Sequence, residues 1–200
     1  DLNGLFRMLT QKFLHRAVDA GIDYAARRGK PEAEMTPEER EQAKKGREMA
    51  QRFAGVSVDR ILTAEISGIA PALTTGIVLG VPVVYARKKK PITMAGPVFL
   101  ETAPSHTKGG DVPLLVSAEF LHAGENILII DDFLATGRTL MALARMVASA
   151  KATLVGVGVV VEKSFEGGRE LMRESGYDNI PIEALALITS MDGGQIVFAE

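Results

Sequence analysis

Residues 131 and 132 are consecutive aspartates, and their neighbours narrow what they can do. Ile127-Leu128-Ile129-Ile130 precedes them, and Phe133-Leu134-Ala135-Thr136-Gly137-Arg138-Thr139 follows. A short apolar run of this kind reads as a buried strand, so two carboxylates stand at a sheet edge, where unpaired charge is costly. Adjacent carboxylates can accept hydrogen bonds from the vicinal hydroxyls of a sugar. The small residues after them suit an anion. A turn entering a helix offers unpaired N–H groups and the positive end of the helix dipole. Gly137 lets the backbone approach closely, and the Thr136 and Thr139 hydroxyls add donors. The plainer reading, in which the aspartates only cap the helix, leaves unexplained why two acids directly follow four apolar residues.

Three other segments carry candidate groups. Glu65-Ile66-Ser67-Gly68-Ile69-Ala70-Pro71-Ala72 joins a strand to a helix, and by itself Ser67-Gly68 is an ordinary turn. Arg87-Lys88-Lys89-Lys90 places four cations after a strand; alone, such a run is usually a solvated surface. Lys163 and Phe165 end another strand, where a lysine more often just extends to solvent. The three histidines, His15, His106 and His122, are scattered, which argues against a metal hydrolase built on the aspartate pair.

These groups need a scaffold, and the hydrophobic pattern supplies one. Apolar runs at 61–64, 81–85, 127–130 and 154–161 alternate with helical stretches at 69–79 and 139–150. Continuous Val- and Ile-rich strands alternating with helices indicate an α/β fold, a doubly wound and mainly parallel sheet covered on both faces. In such sheets ligands lie beyond the carboxyl ends of the strands, which is where the candidate groups fall. Strands over 97–102 and 113–120 flank the Gly-rich stretch 103–111 as a long hairpin, and strands over 182–188 and 195–199 surround a turn at Asp192-Gly193-Gly194. Thr36-Pro37-Glu38-Glu39 is a capping box with proline at the first helical position. The helix it starts turns Ala43, Gly46, Met49, Ala50 and Phe53 inward and ends at Gly55. Residues 1–35 read as an N-terminal hood and linker ahead of a core spanning 36–200.

With 200 residues, 46% of them hydrophobic, the chain can bury one sizeable core. A formal charge of −2 provides no global field for nucleic acid, so phosphate chemistry must rest on local charge. The chain contains no cysteine, which excludes disulfides and a thiolate nucleophile. No apolar stretch reaches the ~20 residues of a membrane span, and the opening residues lack the layout of a signal peptide. A cytoplasmic protein, without membrane or nucleic-acid partners, is the expectation.

The run from Asn126 to Thr139 resembles the phosphoribosyl pyrophosphate (PRPP) signature of the type I phosphoribosyltransferases: four hydrophobic residues, Asp-Asp, two apolar residues, a small one, Thr-Gly, any residue, then Thr or Ser. The resemblance implies that Asp131 and Asp132 bind the ribose hydroxyls and, with PRPP, a Mg²⁺ ion. It implies that Ala135, Thr136, Gly137, Arg138 and Thr139 hold the 5-phosphate, and that Ser67, Gly68, Arg87 and Lys88 surround the pyrophosphate. The hairpin containing Ser105-His106-Thr107-Lys108-Gly109-Gly110 would be the family's flexible closing loop.

Glu162-Lys163-Ser164-Phe165 followed by Gly168-Arg169, together with residues 67–72, 81–88 and 129–135, is similar to the bacterial xanthine-using branch of that family. By that likeness Lys163 donates to the 6-oxygen of a purine and Phe165 packs on the ring. The segment from Phe13 to Asp19 resembles a hood over the base, with His15 in place of an asparagine and a further contact near Met8. The chain departs from the family between Asp19 and Thr36, where it is longer. The implied activity is purine salvage, xanthine and PRPP giving XMP and pyrophosphate, in a homodimer. Hypoxanthine-guanine or adenine transfer remains open, as does a non-catalytic PRPP-sensing regulator, although such regulators carry a DNA-binding module that the ~35 residues before the first strong helix hardly accommodate.

Overall fold

The computed structural model describes residues 31–104 and 109–199. Residues 1–30, which include Met8 and His15, and residues 105–108 lie outside the described residues.

Helix α1, Pro37–Arg52, begins as its sequence dictates. The Thr36 hydroxyl accepts the Glu39 N–H at 3.1 Å, and the Glu39 carboxylate accepts the Thr36 N–H at 2.7 Å. Ala43, Gly46, Met49 and Ala50 are buried, and Phe53 caps the end two residues before the expected Gly55. Strand β1 (Arg60–Ala64), helix α2 (Ile69–Leu79) and strand β2 (Val83–Ala86) follow. Strands β3 (Val98–Pro104) and β4 (Asp111–Ser117) form a separate antiparallel ribbon. Then come β5 (Asn126–Leu134), α3 (Arg138–Ser149), β6 (Thr153–Lys163), a short helix α4 (Gly168–Met172), β7 (Ile182–Ser190) and β8 (Val197–Phe198).

The main sheet has the order β2-β1-β5-β6-β7-β8, parallel throughout except for β8. Chain order reverses between β1 and β5, which makes this a doubly wound sheet with its switch point at that pair. Alternation along β5 serves both faces. Leu128 and Ile130 join Met49, Phe53, Ile61 and Ala72 beneath α1 and α2. Ile127 and Ile129 join Leu140, Leu143, Val147 and Met172 under α3 and α4, where Leu114 and Val116 of the ribbon also pack. Each such fully buried Leu or Ile contributes about 1.5–3 kcal/mol relative to exposure. In β6, Gly156 and Gly158 leave room for α1: a Cβ at either would meet Phe53 or Met49 at 2.7 and 2.5 Å.

Two boundaries differ from the sequence reading in ways that affect the site. β5 extends four residues past Ile130, because β6 continues beside it and pairs Asp131 with Val159, Phe133 with Val161 and Leu134 with Glu162. The aspartates therefore lie within the strand. β2 starts at Val83 rather than 81, since the Val81 N–H closes the end of α2 on the Gly76 carbonyl and Pro82 has no N–H to give.

Candidate active site

At the switch point Asp131 is buried, with 6% of its surface accessible. Its carboxylate accepts the Asp132 N–H at 2.9 Å, and the partly exposed Asp132 carboxylate accepts the Phe133 N–H at 2.9 Å. Burial, and then the charge of Asp132, push the Asp131 carboxyl well above the usual carboxylate range, with the Lys88 ammonium acting in the opposite direction. A buried acid so placed becomes a better anion when positive charge arrives beside it.

The chain then turns into α3 through Gly137, whose φ of 78° and ψ of −3° favour glycine. No side chain caps the helix, so its first N–H groups are open to a ligand or water. Thr136 and Arg138 are exposed and Thr139 is half-buried at this mouth. A Cβ on Gly137 would meet the Gly168 carbonyl oxygen at 2.8 Å and its Cα at 3.0 Å.

Gly68 is required for a different reason. Its φ of −72° suits any residue, but a Cβ would strike Thr63 Oγ1 and the Asp131 carboxylate. The loop after β1 thus lies directly against Asp131, with Ser67 half-buried and the Glu65–Ile66 peptide cis. Thr63 is fully buried, and its hydroxyl has no hydrogen-bond partner among the described residues. The Glu65 carboxylate accepts the Lys88 N–H at 2.6 Å, which ties this loop to the basic segment. Arg87 exchanges backbone hydrogen bonds of 2.8 Å with Leu115 of β4 and lies 5.8 Å from the Tyr85 ring centre. Lys89 and Lys90 are exposed.

Lys163, at the end of β6, has its ammonium 5.8 Å from the centre of the Phe133 ring and 3.4 Å from Glu166. Phe165 is half exposed beside it. The fold therefore brings together Asp131, Asp132, the Ala135–Thr139 turn, Ser67, Gly68 and Lys88, with Lys163 next to Phe133. A cavity of about 360 Å³ between the ribbon, α3 and α4 shares only Arg138 with this set. Sequence reasoning gave no role to Phe133, Thr63, Glu65 or Gly168. The glycine pair Gly167-Gly168 was the available signal for the last, but the contact it makes is with a residue 31 positions earlier.

An open parallel sheet with an acid pair at its switch point, followed by a glycine-capped helix, defines a phosphoribosyl-binding class. The phosphoribosyl transferase domain matches residues 42–186, and the chain belongs to that family. The chain is 49% identical over 155 residues to a xanthine phosphoribosyltransferase of Deinococcus deserti, covering 78% of this chain and 79% of that one. It is 46% identical over 155 residues to the xanthine phosphoribosyltransferase of Moorella thermoacetica, covering 78% of each. Among solved structures, adenine phosphoribosyltransferase from Saccharomyces cerevisiae is 27% identical with a TM-score of 0.59, over 72% of this chain and 76% of that one. The adenine enzyme of Thermoanaerobacter pseudethanolicus, 24% identical over 73% of this chain and 79% of that one, shares the fold with a TM-score of 0.63.

Proposed function

We propose that this protein transfers the phosphoribosyl group of PRPP to a free purine, with xanthine preferred, releasing pyrophosphate. The observation that carries the reading is the buried Asp131 beside Asp132, one turn before the uncapped start of α3. The reaction breaks the bond from C1 of ribose to pyrophosphate and forms one to a purine ring nitrogen, through a state with oxocarbenium character. In this reading the two aspartates accept hydrogen bonds from the ribose hydroxyls and favour the positive charge that develops on the sugar. The 5-phosphate sits on the N–H groups of Ala135 to Thr139. Ser67, Gly68, Arg87 and Lys88 receive the pyrophosphate.

The donor set fits Mg²⁺. Two adjacent carboxylates and no cluster of three or more His, Cys, Asp or Glu among the described residues suit an ion that takes one or two carboxylates plus substrate oxygens and water. When bound, the ion would neutralise the leaving pyrophosphate.

Lys163 donates to the 6-oxygen of the base, which disfavours the amine of adenine, while Phe133 and Phe165 offer ring faces. The N-terminal segment around Met8 and His15 is the proposed source of contacts to the 2-oxygen. Residues 1–35 form the hood in this reading, and 36–200 the core. No helix among the described residues is long and apolar enough to cross a membrane. The reading extends to a cytoplasmic homodimer, supported by exposed apolar side chains on the β2 edge, the ribbon and the turn after β4: Tyr85, Leu100 and Phe120. Steady-state rates with PRPP, Mg²⁺ and each of xanthine, guanine, hypoxanthine and adenine test it. Xanthine should be used best and adenine not at all. A preference for adenine would overturn the role of Lys163, and hypoxanthine outrunning xanthine would overturn that of the N-terminal segment.

A further inference from the structure

Between Lys163 and the residues that pack on Gly137 runs a single turn, residues 163–168, and hydrogen bonds hold its backbone at both ends. Glu162, the residue before Lys163, has only 4% of its side chain exposed. Arg169, just after the turn, meets it from both ends of its guanidinium, Nε to Oε1 at 2.9 Å and Nη2 to Oε2. The same guanidinium donates from Nη1 to the Ile182 carbonyl of β7 at 2.6 Å. Charge-assisted bidentate pairing of this kind fixes geometry as well as adding energy. Gly167 takes φ 75° and donates its N–H to the Ser164 carbonyl, and the Ser164 hydroxyl donates to the Ile188 carbonyl at 3.3 Å.

The far end of the turn touches the phosphate cradle. A Cβ on Gly168 would meet the Ala135 carbonyl oxygen, Leu134 Cδ1 at 2.6 Å and the Gly137 nitrogen at 2.7 Å. Two glycine backbones, 31 positions apart, are therefore pressed together, one in the cradle and one in the turn that begins with Lys163.

Resting on the phosphoribosyltransferase reading above, we propose that the 163–168 turn is one wall shared by the base and 5-phosphate subsites, and that Arg169 is the residue that positions it. Arg169 acts through Glu162 and the Ile182 carbonyl and need not touch either substrate. Its loss lets the turn drift, which moves Lys163 away from the base and withdraws Gly168 from the cradle in one motion.

The test compares wild type with Arg169→Met and Arg169→Lys, measuring KM for xanthine, KM for PRPP and kcat, with circular dichroism to confirm the fold. A lysine can keep one hydrogen bond to Glu162 but not the fork, so the Arg169→Lys protein remains folded and decides the matter if the methionine variant does not fold. The expected result is a rise of roughly tenfold in both KM values for Arg169→Met, a smaller parallel rise for Arg169→Lys, and kcat within about threefold of wild type. A rise in only one KM, or unchanged values for both in a folded variant, overturns the shared wall. Absence of turnover in wild type itself would instead overturn the functional reading.

Discussion

Replacing Gly137 with valine should weaken PRPP binding by about tenfold or more while leaving a folded protein. Position 137 has φ 78°, a conformation that costs an ordinary L-residue about 1–2 kcal/mol and a β-branched one more. The new Cβ would also lie 2.8 Å from the Gly168 carbonyl oxygen, where 3.4 Å is ordinary contact. Backbone sits on both sides of that contact, so the turn must move by about half an ångström rather than a side chain rotating away. A hydrogen bond to a charged phosphate is worth about 1.5–3 kcal/mol, so a shift that breaks one such bond costs about tenfold or more in affinity. Strain of about 2–3 kcal/mol should also lower Tm by roughly 4–12 °C, given about 2–4 °C per kcal/mol for a chain of this size. Titration calorimetry of PRPP with Mg²⁺, paired with a thermal melt, checks both. If the variant melts early but binds PRPP as tightly as wild type, the Ala135–Thr139 turn is structural and not the phosphate cradle.

Lys163→Met should raise KM for xanthine by tens-fold, as expected from losing a hydrogen bond worth ~1–3 kcal/mol, with KM for PRPP little changed; an unaltered xanthine KM would remove Lys163 from the base site. Glu125→Gln should destabilise the protein by about 1–2 kcal/mol at neutral pH, because Glu125 is bound bidentately by Arg60 at 2.8 and 2.7 Å. The Arg60 hydrogen bonds, with smaller help from His122, hold the Glu125 carboxyl at about 2, below its ordinary 4.5. That contribution is complete above pH ~5 and is lost as pH falls from the unfolded value through the folded one, so urea titrations of wild type and variant should differ at pH 7 and converge toward pH 2. Gly158→Ala should cost ~1–3 kcal/mol by overpacking, since its Cβ would lie 2.5 Å from Met49 Sδ and 2.7 Å from Ile130 Cδ1; both KM values should stay at the wild-type level, and a change in either would mean that this core contact reaches the site.

The groups that sequence exposed are those whose chemistry is written in consecutive residues. Ile127 to Thr139 contains strand, acids, turn and helix start in one run, and the structure keeps that order. Helix α1 was readable for the same reason, because Thr36, Pro37 and Glu39 carry the whole capping box. Boundaries set by a neighbouring strand were not. Two acids looked like the end of β5, but pairing with β6 carries the strand on to Leu134. Equally hidden were contacts between distant residues: the Gly137–Gly168 backbone approach, the Arg169–Glu162 fork, and Gly68 against Asp131. Gly68 shows the difference well. In sequence, Ser67-Gly68 reads only as an ordinary turn, whereas the φ of Gly68 suits any residue and it is the lack of space beside Asp131 that requires a glycine.

Pyrophosphate release from PRPP in the presence of Mg²⁺ and xanthine, compared between wild type and the protein carrying Asp131→Asn together with Asp132→Asn, tests the central claim most directly. The two carboxylates are assigned to the ribose, the ion and the developing positive charge, and only Asp131 is buried. The account predicts xanthine-dependent release by wild type and its loss in the folded double variant. Turnover by the double variant close to that of wild type would contradict it.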